Sequence, residues 1–174
     1  MSRPSSPSQP RQITVAPVRK SVRVDAGVAR AFDVFTAGLS RWWPRTHHIG
    51  AVAMKDAVIE PRVGGRWYER GEDGSECEWG KVLVWEPPYR VVLAWHLTPQ
   101  FKYDPTRFSE VEVRFIAEGA AITRVELEHR DLDRFGAEEG AQMREKVDAP
   151  NGWTAIITLY AQSASQKNGE AAKD

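Results

Sequence analysis

The chain is poor in cysteine, in long apolar runs and in any excess of one charge. A single cysteine, Cys77, in 174 residues excludes an internal disulfide and any zinc site built on several thiolates. It stands between Glu76 and Glu78, whose charges raise a thiol pKa, so an ordinary strand residue is expected there. No apolar stretch approaches the roughly 18 residues that span a bilayer, and the opening residues lack the apolar core of a secretory signal. Basic and acidic side chains number 24 each, without a long run of one sign, so the footprint of a nucleic-acid binder is missing. Gly64-Gly65 is no phosphate loop: the lysine and hydroxyl are absent, and a strand rather than a helix follows. No serine nucleophile elbow or His-Glu metalloprotease pattern occurs either. His47-His48 is a poor metal pair, because adjacent side chains in extended chain point to opposite sides. Both are expected in a solvated loop, with a pocket-mouth polar contact as the next reading for the pair. The expectations are a cytoplasmic protein with no metal, no cofactor, no nucleic-acid partner and no membrane span.

What the chain does have is tryptophan, set in alternating sequence. From Val58 to His96 apolar and polar residues alternate at a period of two, interrupted at Gly64-Gly65, Glu72-Asp73-Gly74 and Pro87-Pro88. Alternation bounded by turn residues predicts an antiparallel meander with one covered and one wet face. Trp67, Trp79, Trp85 and Trp95 lie in it. Trp153, Ile156, Ile157, Tyr160 and Ala164 recur at helical spacing and predict the helix that covers it.

Around these two parts, Val18–Val24 reads as a first strand, and Asp25 as the N-cap of a helix through Phe35 that Gly38 ends. A short helical piece at 39–43 is stopped by Pro44. Residues 111–115 and 123–129 form a late hairpin, and 136–147 favours helix by propensity. The domain runs over 16–165, with a disordered Ser/Pro-rich lead at 1–15 and a disordered tail at 166–174.

Several strings, in this order, resemble the START-like (SRPBCC) superfamily. Within it the chain is similar to the C-terminal domain of the ATPase activator of the ninety-kilodalton heat-shock chaperone. The carriers are L-S-R-W-W-P at 39–44, P-R-V-G-G-R-W at 61–67, G-K-V-L-V-W-E-P-P at 80–88, R-V-V-L-A-W at 90–95, V-E-L-E-H at 125–129 and Gly152-Trp153. The resemblance implies an α+β helix-grip fold. In it a curved antiparallel sheet of about six to seven strands wraps round a long C-terminal helix, two short helices follow the first strand, and a cavity lies between sheet and helix.

Ligand-binding residues are then expected among Trp42, Trp43, His47, Trp67, Glu69, Trp95, Phe101, Tyr103, His129, Trp153 and Ile157. Glu69 shares a face with Trp67, and His129 with Val125 and Leu127, so both are expected to point inward as candidate catalytic acid and base. The alternative for both is an outward glutamate and a strand-end histidine. The first functional expectation is a domain that binds a small hydrophobic or aromatic molecule. The alternatives are a polyketide cyclase/dehydratase- or hydrolase-type enzyme using the same cavity, and a chaperone ATPase-activating domain. The chaperone is the less expected partner, because this chain lacks the activator's separate N-terminal domain. Edge strands leave homodimerisation open.

Overall fold

A computed structural model describes residues 15–166. The disordered lead and tail expected from the sequence lie outside the described residues, apart from Val15 and Gln166. The elements, in order, are β1 (Val18–Val24), α1 (Val28–Phe35), α2 (Leu39–Trp42), β2 (Met54–Ile59), β3 (Arg66–Gly71), β4 (Glu76–Glu86), β5 (Arg90–Trp95), β6 (Ser109–Gly119) and β7 (Ile122–Arg130). A 3-10 turn at Leu132–Phe135 leads into α3 (Ala137–Asp148) and then α4 (Trp153–Ala164). The strands form one antiparallel sheet in the order β1-β7-β6-β5-β4-β3-β2. The sheet curls round α4, giving the helix-grip architecture.

Alternation dictates the sheet where it is clean. Along β7, Thr123, Val125, Leu127 and His129 are buried, while the residues between them are partly exposed. The pattern fails in β5, where Val91 through Trp95 are all buried. This central strand has neighbours on both sides, and its small outward residues sit between long ones: Ala94 lies across from Lys81 and Glu110. Their aliphatic stems can shade it from water.

Register shifts occur between Met54 and Asp56, in the β3–β4 pair beside Trp67, and in the β4–β5 pair beside Val82. Each adds a residue to one strand and bends the sheet. The second shift leaves Trp79 without a β3 partner, since Trp67 pairs with Gly80 and Tyr68 with Glu78. Gly80 is required there, because a Cβ would lie 1.6 Å from the Ala94 carbonyl oxygen.

Two local expectations are corrected. Gly27, not Asp25, precedes α1, without a side-chain cap; the Asp25 amide instead donates to Ser165 Oγ. Gly38 is not a left-handed stop: α1 ends at Phe35 with Thr36 as its C-cap, and Gly38 precedes α2 with φ −90°. The covering helix is as expected, with Trp153, Ile156, Ile157, Tyr160 and Ala164 all buried.

Candidate functional site

Between α4 and the β3–β5 end of the sheet lies a cavity of about 270 Å³. Trp43, Trp79, Trp95 and Trp153 form its aromatic walls. Trp43 comes from the residue after α2, Trp79 from the shifted stretch of β4, Trp95 from the end of β5 and Trp153 from the first turn of α4. Ile49, Leu97, Phe101, Val147 and Ile156 complete the apolar lining, and Thr46, His47, His48, Lys146 and Asn151 stand among the polar residues bordering it.

The four indole N–H groups are all spent on the protein itself. Trp43 Nε1 donates to the His47 carbonyl (2.9 Å), and Trp95 Nε1 to the Leu97 carbonyl (3.1 Å). Trp79 Nε1 donates to Glu69 Oε1 (2.9 Å), and Trp153 Nε1 to His129 Nδ1 (3.0 Å). A buried N–H needs an acceptor, and each has one, so the tryptophans offer the cavity aromatic surface and no free donor.

Polarity at the mouth comes from the 46–50 loop and the α3–α4 junction. His47 bridges the two: Nε2 donates to the Asn151 carbonyl (2.7 Å), and Nδ1 accepts from Thr46 Oγ1 (2.9 Å). Gly152 allows the junction to fold tightly, since a Cβ there would lie 2.2 Å from the Val147 carbonyl oxygen. Lys146 donates to the Pro99 carbonyl and stands 5.5 Å from the Phe101 ring centroid. Phe101 is 41% exposed and holds a left-handed φ of 57°.

Behind this wall sit two buried ionisable groups with different companions. His129 is 0% exposed; it accepts from Trp153 on Nδ1, and its Nε2 donates to Ser109 Oγ (2.7 Å). Burial pushes its pKa down to about 3, so the ring is neutral. Glu69 is 1% exposed and accepts from the amides of Ile49 (2.6 Å) and Gly50 (3.2 Å) as well as from Trp79. Its Oε2 lies 3.9 Å from His48 Nδ1. On the outer face, Glu112 is nearly as buried at 5% but is surrounded by Arg90, Arg114 and Arg130. Glu69 thus lies among neutral N–H donors and one imidazole.

Of the residues expected at a ligand site, Trp43, His47, Trp95, Phe101 and Trp153 line the cavity. Trp42 is turned into the core, where it packs on Phe35 and Tyr160 and donates to the Val34 carbonyl. Trp67 stands behind Trp43, Trp79 and Trp95. Tyr103 stacks on His96, and Ile157 is one position round α4 from the lining residue Ile156. Glu69 and His129 do point inward, yet neither lines the cavity and they share no partner. Alternation missed Trp79, and His48 takes the pocket-mouth place that stood second to loop solvation. The register shift beside Trp79 is not legible from spacing, and His48 lies in a loop without a period.

Cys77 is partly buried, and its thiol is pushed up by that burial first and by the Glu69, Asp73 and Glu78 charges next. Among the described residues no group of three or more His, Cys, Asp and Glu could hold a metal ion. No described helix is long and apolar enough to cross a membrane.

The family model described as activator of Hsp90 ATPase homolog 1-like protein matches residues 25–161. The chain belongs to this family. Among solved structures, an anthrahydroquino-γ-pyrone synthase, Txn09, solved in complex with SUM, is 37% identical with a TM-score of 0.59. That match covers 87% of this chain and 98% of the synthase. CalC from Micromonospora echinospora, a self-sacrificing resistance protein, is 32% identical with a TM-score of 0.68, over 88% of this chain and 97% of CalC. An HSP90 activator from Plasmodium falciparum shares the fold at 19% identity and a TM-score of 0.51, over 82% of this chain and 94% of its own. No curated protein sequence gives a significant match.

Proposed function

We propose that this START-like domain binds a small, flat, fused-ring aromatic molecule in the cavity between sheet and α4. One observation carries the reading: four tryptophans surround the cavity while their N–H groups bond back into the protein. Such a wall favours a molecule that buries ring faces, and it penalises one that needs many hydrogen bonds. At about 270 Å³ the space is near the small end of ligand sites, which run from about 300 Å³ upward, so the occupant is compact. The 37% identity to a synthase of an anthrahydroquino-γ-pyrone supports the same ligand class.

A second reading, catalysis of a cyclase type in this cavity, draws on that same likeness. Glu69 and His129 do not favour it as an acid–base pair, since neither borders the space a substrate would occupy.

Anthraquinone is the probe. Titration is expected to quench tryptophan emission saturably, and native mass spectrometry to show one molecule per chain. Ile156→Phe, which places a ring where a small lining residue stands, is expected to weaken that binding at least about tenfold, because lost space cannot be recovered in a packed interior. Unaltered emission at saturating probe, with no bound mass, overturns the proposal.

A further inference from the structure

The aromatic walls supply contact area but no orientation, so a polar group facing the cavity must set how a ligand sits. Thr46 and Asn151 also border the cavity but are solvent-exposed at its rim; the more enclosed candidates can be taken in turn. The four indole donors are used. Both ring nitrogens of His47 are used, one on Thr46 and one on the Asn151 carbonyl. Lys146 donates to the Pro99 carbonyl and, as an ammonium, can only donate. His48 differs. Its Nδ1 lies 3.0 Å from the Gly50 carbonyl oxygen, which can only accept, so Nδ1 carries the hydrogen. In the neutral ring Nε2 then holds a lone pair, and among the described residues no hydrogen bond uses it. His48 is among the residues that line the cavity.

Glu69 is the reason this arrangement is held. One carboxylate oxygen accepts from the Ile49 amide and from Trp79, and the other accepts from the Gly50 amide. The second oxygen also faces His48 Nδ1 at 3.9 Å. The carboxylate therefore pins the 48–50 backbone whose carbonyl fixes the His48 tautomer, and its charge favours the hydrogen on the near nitrogen. A carboxylate, an oriented imidazole and an unused ring nitrogen at an apolar cavity make an acceptor for one ligand hydrogen.

We infer that His48 Nε2 accepts a hydrogen bond from a phenolic or enolic hydroxyl of the bound aromatic molecule, with Glu69 as the positioning residue. The inference rests on the cavity being the ligand site, and it adds that the ligand is hydroxylated and that His48 selects for the hydroxyl. His48 is half-buried, its side chain 25% exposed, so its discrimination comes from the hydrogen bond a hydroxyl gains there.

The test compares β-hydroxyanthraquinone with anthraquinone on the full chain. Wild-type protein is expected to bind the hydroxylated probe up to about tenfold more tightly, the upper end of what one hydrogen bond adds. His48→Phe is expected to erase that preference, read as the ratio of the two affinities within the variant whatever the absolute affinity of either probe. Glu69→Gln removes the charge that holds the tautomer and should reduce the preference without abolishing anthraquinone binding. A readout independent of any ligand is the long-range proton–nitrogen spectrum of His48, in which Nδ1 is expected to carry the hydrogen in wild type. Equal affinity of wild type for both probes, or hydrogen on Nε2, overturns the inference while the cavity reading stands. Binding of neither probe overturns both.

Discussion

Two ends of the same helix–sheet interface are built from the same kind of residue and come out differently. At one end Phe35 meets Phe115, Trp42 and Tyr160 of α4, Phe32 meets Phe115 and Trp42 meets Tyr160, with ring centroids 5.1–5.9 Å apart. The Tyr160 hydroxyl, deep in this cluster, donates to the Ala31 carbonyl at 2.7 Å. At the other end Trp43, Trp79, Trp95 and Trp153 stand at similar spacings, 5.1–6.2 Å, yet enclose about 270 Å³. Aromatic content is therefore not what distinguishes core from cavity. The first end is capped by α1, a helix that offers side chains inward at every turn. The second is bordered by the 46–50 loop and the α3–α4 junction, whose backbone is held by His47 and Glu69 and whose side chains line the space without filling it.

If that contrast is real, stability and binding should separate between the two ends. The largest effect is expected at the packed end. Phe115→Ala removes a fully buried ring and should cost about 3–5 kcal/mol in urea unfolding, while the protein that remains folded binds anthraquinone as before. A comparable loss of binding would mean that the two ends are one mechanical unit.

Acid sharpens the contrast from the cavity side. His129 has its folded pKa pushed down to about 3 from an ordinary 6.5. Between these values the unfolded chain takes up a proton that the folded protein refuses, so stability is complete above about pH 6.5 and falls as pH drops. From about pH 6.5 to about pH 4.5 the loss should be roughly 2 kcal/mol. Unfolding midpoints measured across that range check it. His129→Gln should start lower, because Trp153 and Ser109 lose a matched partner, but should show a flatter acid slope. An unchanged slope would remove His129 as its source.

The smallest effect belongs to the cavity mouth. Phe101 is 41% exposed with a left-handed φ of 57°, a backbone that glycine adopts without strain. Phe101→Gly should therefore shift stability by no more than about 1 kcal/mol in either direction. It should weaken anthraquinone binding several-fold, because one wall of the cavity goes with the ring.

Residue patterns determined most of the architecture. The period of two, clean in β7 though broken in β5, and the helical spacing of Trp153, Ile156, Ile157, Tyr160 and Ala164 both point to a sheet closing on that helix. Burial on one face imposes those periods directly, so they can be read from one dimension. The inward direction of Glu69 and His129 followed from the same alternation. Which aromatic rings would fill space and which would enclose it was decided by the tertiary structure alone. Trp42 and Trp43 are neighbours in the chain, yet one packs into the core and the other lines the cavity. Trp79 owes its place to a register shift, and His48 owes its poise to a carboxylate 21 positions further along the chain. Such choices depend on contacts between distant segments, and no local spacing encodes them.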